Sequence, residues 1–227
     1  MEFIKAKEEY SMLRVGALQR RIALEHRMGC IKYALGYDQS EIIRSFERAA
    51  DLIPGLLRHG SIEPSLALSA WGICFIAGRR DVLDILSMTE SERLRTQHVQ
   101  EKYIKMIANI FRANQKSWKS DVDGVVKEIT EYDRLLARRR TNRMFERWAQ
   151  GLRDMHMAHA QGSNIPDVIA ARIAYLNNSY PEDQIDHESL LDVHGMGVFG
   201  ASSLGGWRMN GDGSPFPVVL HAMPEGQ

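Results

Sequence analysis

Five groups of side chains in this sequence have types and spacings that could do chemistry. Asp154, His156 and His159 lie close together in a helical stretch. Histidines three apart share a helix face and could hold a metal ion. No motif supplies a third ligand, and His159 continues an apolar stripe of Phe145, Trp148, Leu152 and Met155. It therefore reads as a packed core or groove histidine. Asp186, His187, Glu188, Asp192 and His194 form a second group, able in principle to supply a general acid and base or metal ligands. Carboxylates also gather at helix starts because they favour the positive end of the helix dipole, and an exposed acidic helix start is the reading adopted for them.

Gly195, Gly197 and Gly200 spell G-x-G-x-x-G. As a phosphate cradle that pattern needs a preceding strand and a βαβ unit, and no such unit is visible. Arg138, Arg139 and Arg140, with Arg134, Arg143 and Arg147, form the densest basic stretch. It falls where a helix should end, and cations there complement the carbonyl end of the dipole. Cys30 and Cys74 each sit in an apolar helical stretch, where a free cysteine behaves as a small buried hydrophobe. No G-x-S-x-G elbow is present, and neither cysteine has an adjacent motif histidine. The residues point away from an enzyme and imply no cofactor and no metal.

The elements that must position these groups are helical throughout. The chain has 227 residues, 44% apolar and 26% charged, the composition of a globular protein that can bury a sizeable core. With 29 basic and 29 acidic residues the net charge is zero, so nothing draws the whole molecule to nucleic acid or to an anionic membrane. No apolar run approaches the ~20 residues that cross a bilayer. The charged N-terminus lacks the apolar centre of a secretory signal, so the cytoplasm is the expected compartment.

A first helix is expected from about Lys7 to Leu35, with Tyr10, Leu13, Ala17, Leu24, Met28, Ile31 and Leu35 as its apolar stripe. Gly36 should end it in a left-handed turn. Asp38 and Glu41 then fit a capping box for a second helix, in which Ile42, Phe46, Ala49, Ala50, Ile53 and Leu57 are in phase. Pro54 should kink or end that helix. Pro64 opens a third helix, apolar on every side through Ile76 and therefore central; Gly78 stops it. A short fourth helix follows over Asp81 to Leu86. A fifth starts near Thr89 to Glu92 and runs to Asn114, a sixth spans Asp121 to Arg139, a seventh is capped by Thr141 or Asn142, and an eighth is opened by Ser163 or Asn164. A short helix from His187 leads into the glycine-containing segment Gly195 to Gly206. The expected architecture is all-α: one multi-helix bundle of packed hairpins over residues 1–204, then an irregular glycine-rich tail over 205–227.

Lys32-Tyr33-Ala34-Leu35-Gly36-Tyr37-Asp38 followed by Glu41-Ile42 resembles the N-terminal hairpin of the PoNi-type immunity proteins. The helix from Leu66 to Ala77, then Arg80-Asp81 and a short helix, continue the same order of elements. His187-Glu188-Ser189 through Phe199-Gly200-Ala201-Ser202 is similar in outline to that family's closing helix. The resemblance implies an all-helical bacterial protein that binds a cognate toxin, of the type VI or polymorphic kind, and blocks it sterically. Were the toxin a nuclease, its basic site would suit an acidic docking surface of Glu182, Asp183, Asp186, Glu188 and Asp192, with Phe199 and Trp207 as aromatic anchors. Two alternatives remain open: a helical adaptor that takes a peptide or protein in a groove, and a metal-dependent enzyme using His156, His159 and the acidic loop.

Overall fold

The computed structural model describes residues 2–59, 62–94, 101–137, 143–162, 172 and 191–204. These residues form helices α1 (Glu2–Ala34), α2 (Gln39–His59), α3 (Pro64–Ile76), α4 (Arg80–Ser87), α5 (Glu101–Trp118), α6 (Val122–Ala137), α7 (Arg143–Gln161) and α8 (Val193–Leu204), with a 3₁₀ turn over Ser91–Arg93. The extended pairing among the described residues is a single parallel bridge between Ile62 and Leu94. The fold is an all-α bundle, as the helical periodicity predicts. The helix expected from Ser163 or Asn164 and the tail over 205–227 lie outside the described residues, Arg172 excepted.

The α1–α2 turn is built as the residues dictate. Gly36 has φ +71°. The Gly36 N–H donates to the Tyr33 carbonyl (3.1 Å) and the Tyr37 N–H to the Lys32 carbonyl (3.0 Å), the paired bonds of a Schellman ending. Gly78, with φ +66°, ends α3 by the same pair of bonds to Phe75 and Cys74. Asp38 takes the N-cap position, its carbonyl accepting the Ile42 N–H at 3.2 Å. The Glu41 carboxylate, however, lies across the turn near Lys32 Nζ, 3.9 Å away, rather than reaching back as a capping box requires. Pro54 does not end α2, which continues to His59.

Helix α3 is the hub. Every residue from Pro64 to Ile76 except Ser65 is buried. Glu63 caps it, its carboxylate accepting from the N–H groups of Ser65 (3.3 Å) and Leu66 (3.0 Å), a cap that the search for Ser, Thr, Asp or Asn passes over. Trp71 is fully buried and meets Phe111 and Trp118 of α5 edge to face, at 6.2 and 6.3 Å between centroids. Helices α2, α4, α5 and α8 all pack on α3. Side chains lock the outer helices. Gln115 of α5 donates to the carbonyls of Leu86 and Thr89 at 2.9 and 2.7 Å, satisfying the end of α4. Arg153 of α7 forks onto Asp133 of α6 at 3.2 and 2.7 Å.

One expectation about α1 is overturned. Its buried face carries Ile22, His26, Gly29 and Cys30, not the anticipated stripe. Leu24, Met28 and Leu35 are exposed at 59%, 40% and 68%, and Ala17 is exposed as well. The helix has apolar residues on two opposite sides. Gly29 decides which side faces inward, because the Phe46 ring of α2 occupies the space a Cβ there would need.

Candidate functional site

Two of the polar groups that the sequence singles out, Asp192 and His194, sit at the start of α8, and there they meet buried partners. Asp192 is the N-cap of α8: its carboxylate accepts the Gly195 N–H at 2.9 Å and its carbonyl accepts the Met196 N–H. The same carboxylate accepts a two-pronged bond from Arg172, Nε at 2.5 Å and Nη2 at 2.9 Å. Arg172 also donates from Nη1 to the Trp148 carbonyl on α7, 2.8 Å away. Both side chains are nearly sealed from solvent. Burial raises the Asp192 carboxyl, but the Arg172 charge and these hydrogen bonds outweigh it and hold the group below the usual carboxylate range. Gly151 of α7 lies directly under the guanidinium, where a Cβ would strike Arg172.

His194, one helical step on, is buried too. Its Nε2 stands 2.9 Å from Ser69 Oγ and 3.3 Å from the Ser65 carbonyl of α3, and its ring meets Trp148 edge-on at 5.1 Å. The cluster thus ties α3, α7 and α8 together. Asp192 is an interior helix cap, not part of an exposed acidic start. Phe199 is half-buried with its ring edge against Phe75 of α3, 5.8 Å between centroids. Glu182, Asp183, Asp186, Glu188 and Trp207 lie outside the described residues.

The glycine pattern has a mechanical meaning. Gly195, Gly197 and Gly200 are inside α8, preceded by its cap and not by a strand. A Cβ on Gly197 would come within 2.8 Å of Trp71 Cβ and 2.9 Å of the Gly72 N; one on Gly200 would strike the Phe75 ring. From the other side, a Cβ on Gly72 would overlap the Val193 carbonyl. Glycines on both helices let α3 and α8 cross backbone against backbone. No phosphate could enter this contact.

The two histidines of α7 differ in burial. His156, not His159, is the fully buried one. Its Nδ1 lies 3.4 Å from Ser117 Oγ, while Nε2 is buried and meets no hydrogen-bond partner among the described residues. Burial, with the nearby His159, pushes its pKa down to about 3, so the ring is neutral at physiological pH. His159 is half-buried and its pKa is lowered by burial. Asp154 faces Arg153 at 2.9 Å and accepts from Gln150 at 2.8 Å. Among the described residues no three of His, Cys, Asp and Glu gather as metal ligands would. Cys30 and Cys74 are buried free thiols, and burial raises the Cys74 thiol far above its ordinary range.

One surface feature was not legible beforehand. A cleft of about 660 Å³ opens between α2 and the end of α4, walled by Pro54, Leu57, Ile85 and Met88 with Arg58 and Arg93 at its rim. Met88 is 71% exposed and Ile85 39%. No helix among the described residues is long and apolar enough to cross a membrane. Comparison with family models, with curated proteins and with solved structures returns no match for this chain.

Proposed function

We propose that the protein is an immunity protein: a binding partner that occupies a cognate bacterial toxin and blocks it sterically. The observation that carries this reading is where the reactive-looking side chains end up. Asp192, His194 and His156 are buried in contacts that hold helices together, and the glycine motif is filled by a neighbouring helix. Such a molecule offers a rigid outline rather than a reactive centre, and a rigid outline is what an inhibitor of this kind requires. The sequence resemblance at Lys32 to Ile42 is the second support; in the fold that stretch forms the turn between α1 and α2.

The docking surface under this reading is the acidic run Glu182, Asp183, Asp186 and Glu188, with Trp207 as an anchor. Asp192 drops out of it because its carboxylate is engaged inside the chain. Co-expression with a toxin-like gene encoded beside this one, followed by pull-down, tests the proposal. Capture of that product and survival of the cells support it; failure of both removes it. Asp183→Lys with Asp186→Lys should slow association and flatten its salt dependence.

The cleft beside α4 favours a second reading, an adaptor that takes an apolar segment with an acidic flank between Met88 and the two rim arginines. A partner that is lost with Met88→Asp yet retained after the Asp183/Asp186 reversal would place the contact there.

A further inference from the structure

The interior seam between α3 and α5 carries polar atoms that the helix packing leaves unused. Trp71 is fully buried, and its indole N–H meets no acceptor among the described residues. Asn114 is 1% exposed, and its buried Oδ1 meets no donor among them either. Both atoms give up their hydrogen bonds to bulk water on folding, and leaving either one bare is costly.

The two residues occupy one place in the fold. The Trp71 ring stands 6.2 Å from Phe111 and 6.3 Å from Trp118, centroid to centroid. Asn114 is three residues after Phe111 and four before Trp118, so all three share the side of α5 that meets Trp71. Ser117, three residues on from Asn114, is 1% exposed, and its Oγ lies 3.4 Å from Nδ1 of His156 on α7. Nε2 of that ring is a third buried atom that meets no partner among the described residues.

The chemistry of these atoms says what satisfies them. Trp71 Nε1–H can only donate and Asn114 Oδ1 can only accept, yet the two do not bond each other directly. An apolar group satisfies neither. Trp71, Asn114 and Ser117 carry no charge, so they offer nothing to balance an ion. Water accepts and donates at once, and a buried water typically takes about three hydrogen bonds. When the Ser117 hydroxyl donates to His156 Nδ1, Nε2 carries the ring proton and becomes a second donor. Two donors and one acceptor are the complement of a single water molecule.

We infer that the seam between α3 and α5 is a binding site for ordered water, in which one molecule accepts from the Trp71 indole N–H and donates to Asn114 Oδ1, with His156 Nε2 as its contact on the α7 side. This site stands apart from the immunity reading.

Nuclear Overhauser measurements between water and the indole protons of the full wild-type chain test it, with Trp71→Phe identifying the Trp71 resonance among the four tryptophans. A long-lived water contact at the Trp71 indole proton is expected, and Asn114→Leu should abolish it. A high-resolution crystal structure should show the water within hydrogen-bond distance of both Nε1 and Oδ1. In urea melts, Asn114→Leu should raise the unfolding equilibrium constant by roughly tenfold, whereas adding it to Trp71→Phe should change little, because the donor is already gone. An indole proton with no water contact in the wild type overturns the inference. So does Nε1 bonded directly to Asn114 or to a side chain from elsewhere in the chain, a water contact that survives Asn114→Leu, or melts in which the two changes simply add.

Discussion

At the residue scale, the Arg172–Asp192 pair is the most consequential feature, because both charges are buried and each satisfies the other. Removing one partner strands a charge in the interior. Asp192→Ala should therefore destabilise the fold by about 3–5 kcal/mol in chemical denaturation, while replacing both residues with apolar ones should cost markedly less than the sum of the single changes. His156 makes a separate prediction in pH. Its folded pKa of about 3 lies below the unfolded value, so the unfolded chain binds the extra proton. Its contribution is complete above pH 6.5 and is lost as pH falls toward 3. The slope of stability against pH between about pH 4 and 6 should diminish by up to about 1.4 kcal/mol per unit in His156→Gln. An unchanged slope would mean that His156 is not the proton-excluding group. Asp192 acts in the same direction but only below its ordinary value of 3.8.

At the element scale, the crossing of α3 and α8 depends on what is missing from Gly72 and Gly197. Gly72→Ala drives a methyl into the Val193 backbone carbonyl, which cannot rotate away, and should cost more than about 3 kcal/mol. Gly197→Ala presses on Trp71 Cβ and should cost about 1–3 kcal/mol. Urea melts of the two variants check both the sign and the order; a neutral Gly72→Ala would mean the helices are not in backbone contact. Turns and helix ends were legible because their causes are local: Gly36 and Gly78 adopt positive φ, and Pro64 opens α3. The facing of α1 was not legible, since its apolar residues occupy two sides and only the Phe46–Gly29 fit distinguishes them. His156 and His159 pose the same difficulty. Both border the apolar stripe of α7, and the placement of α5 decides which one is sealed.

At the scale of the whole molecule, the chain is formally neutral and, among the described residues, Asp192, His194 and His156 are turned inward, which is the basis of the contact reading proposed above. Chelation should leave its melting temperature unmoved, whereas a zinc-dependent rise would bring back the metalloenzyme alternative through His156 and His159. Surface charge should matter to association rather than to folding. Under the proposed function, reversal of Asp183 and Asp186 should leave the melt within about 0.5 kcal/mol of wild type while altering capture of the proposed partner, and a large loss of stability would make those residues structural instead.

By itself the amino-acid sequence determined the all-helical class, the turns at Gly36 and Gly78 and the central, buried character of the third helix, because each follows from interactions within a few neighbouring residues. The fifth helix, expected from near Thr89 to Glu92, does not start there, where a 3₁₀ turn and the Ile62–Leu94 bridge lie. Only the tertiary structure decided that the last helix's glycines admit a backbone and not a phosphate, that Asp192 is an interior cap, and that Leu24 and Met28 face outward. The reason is physical: those outcomes depend on which surfaces meet, and contacts between separate elements leave no periodicity in either segment alone.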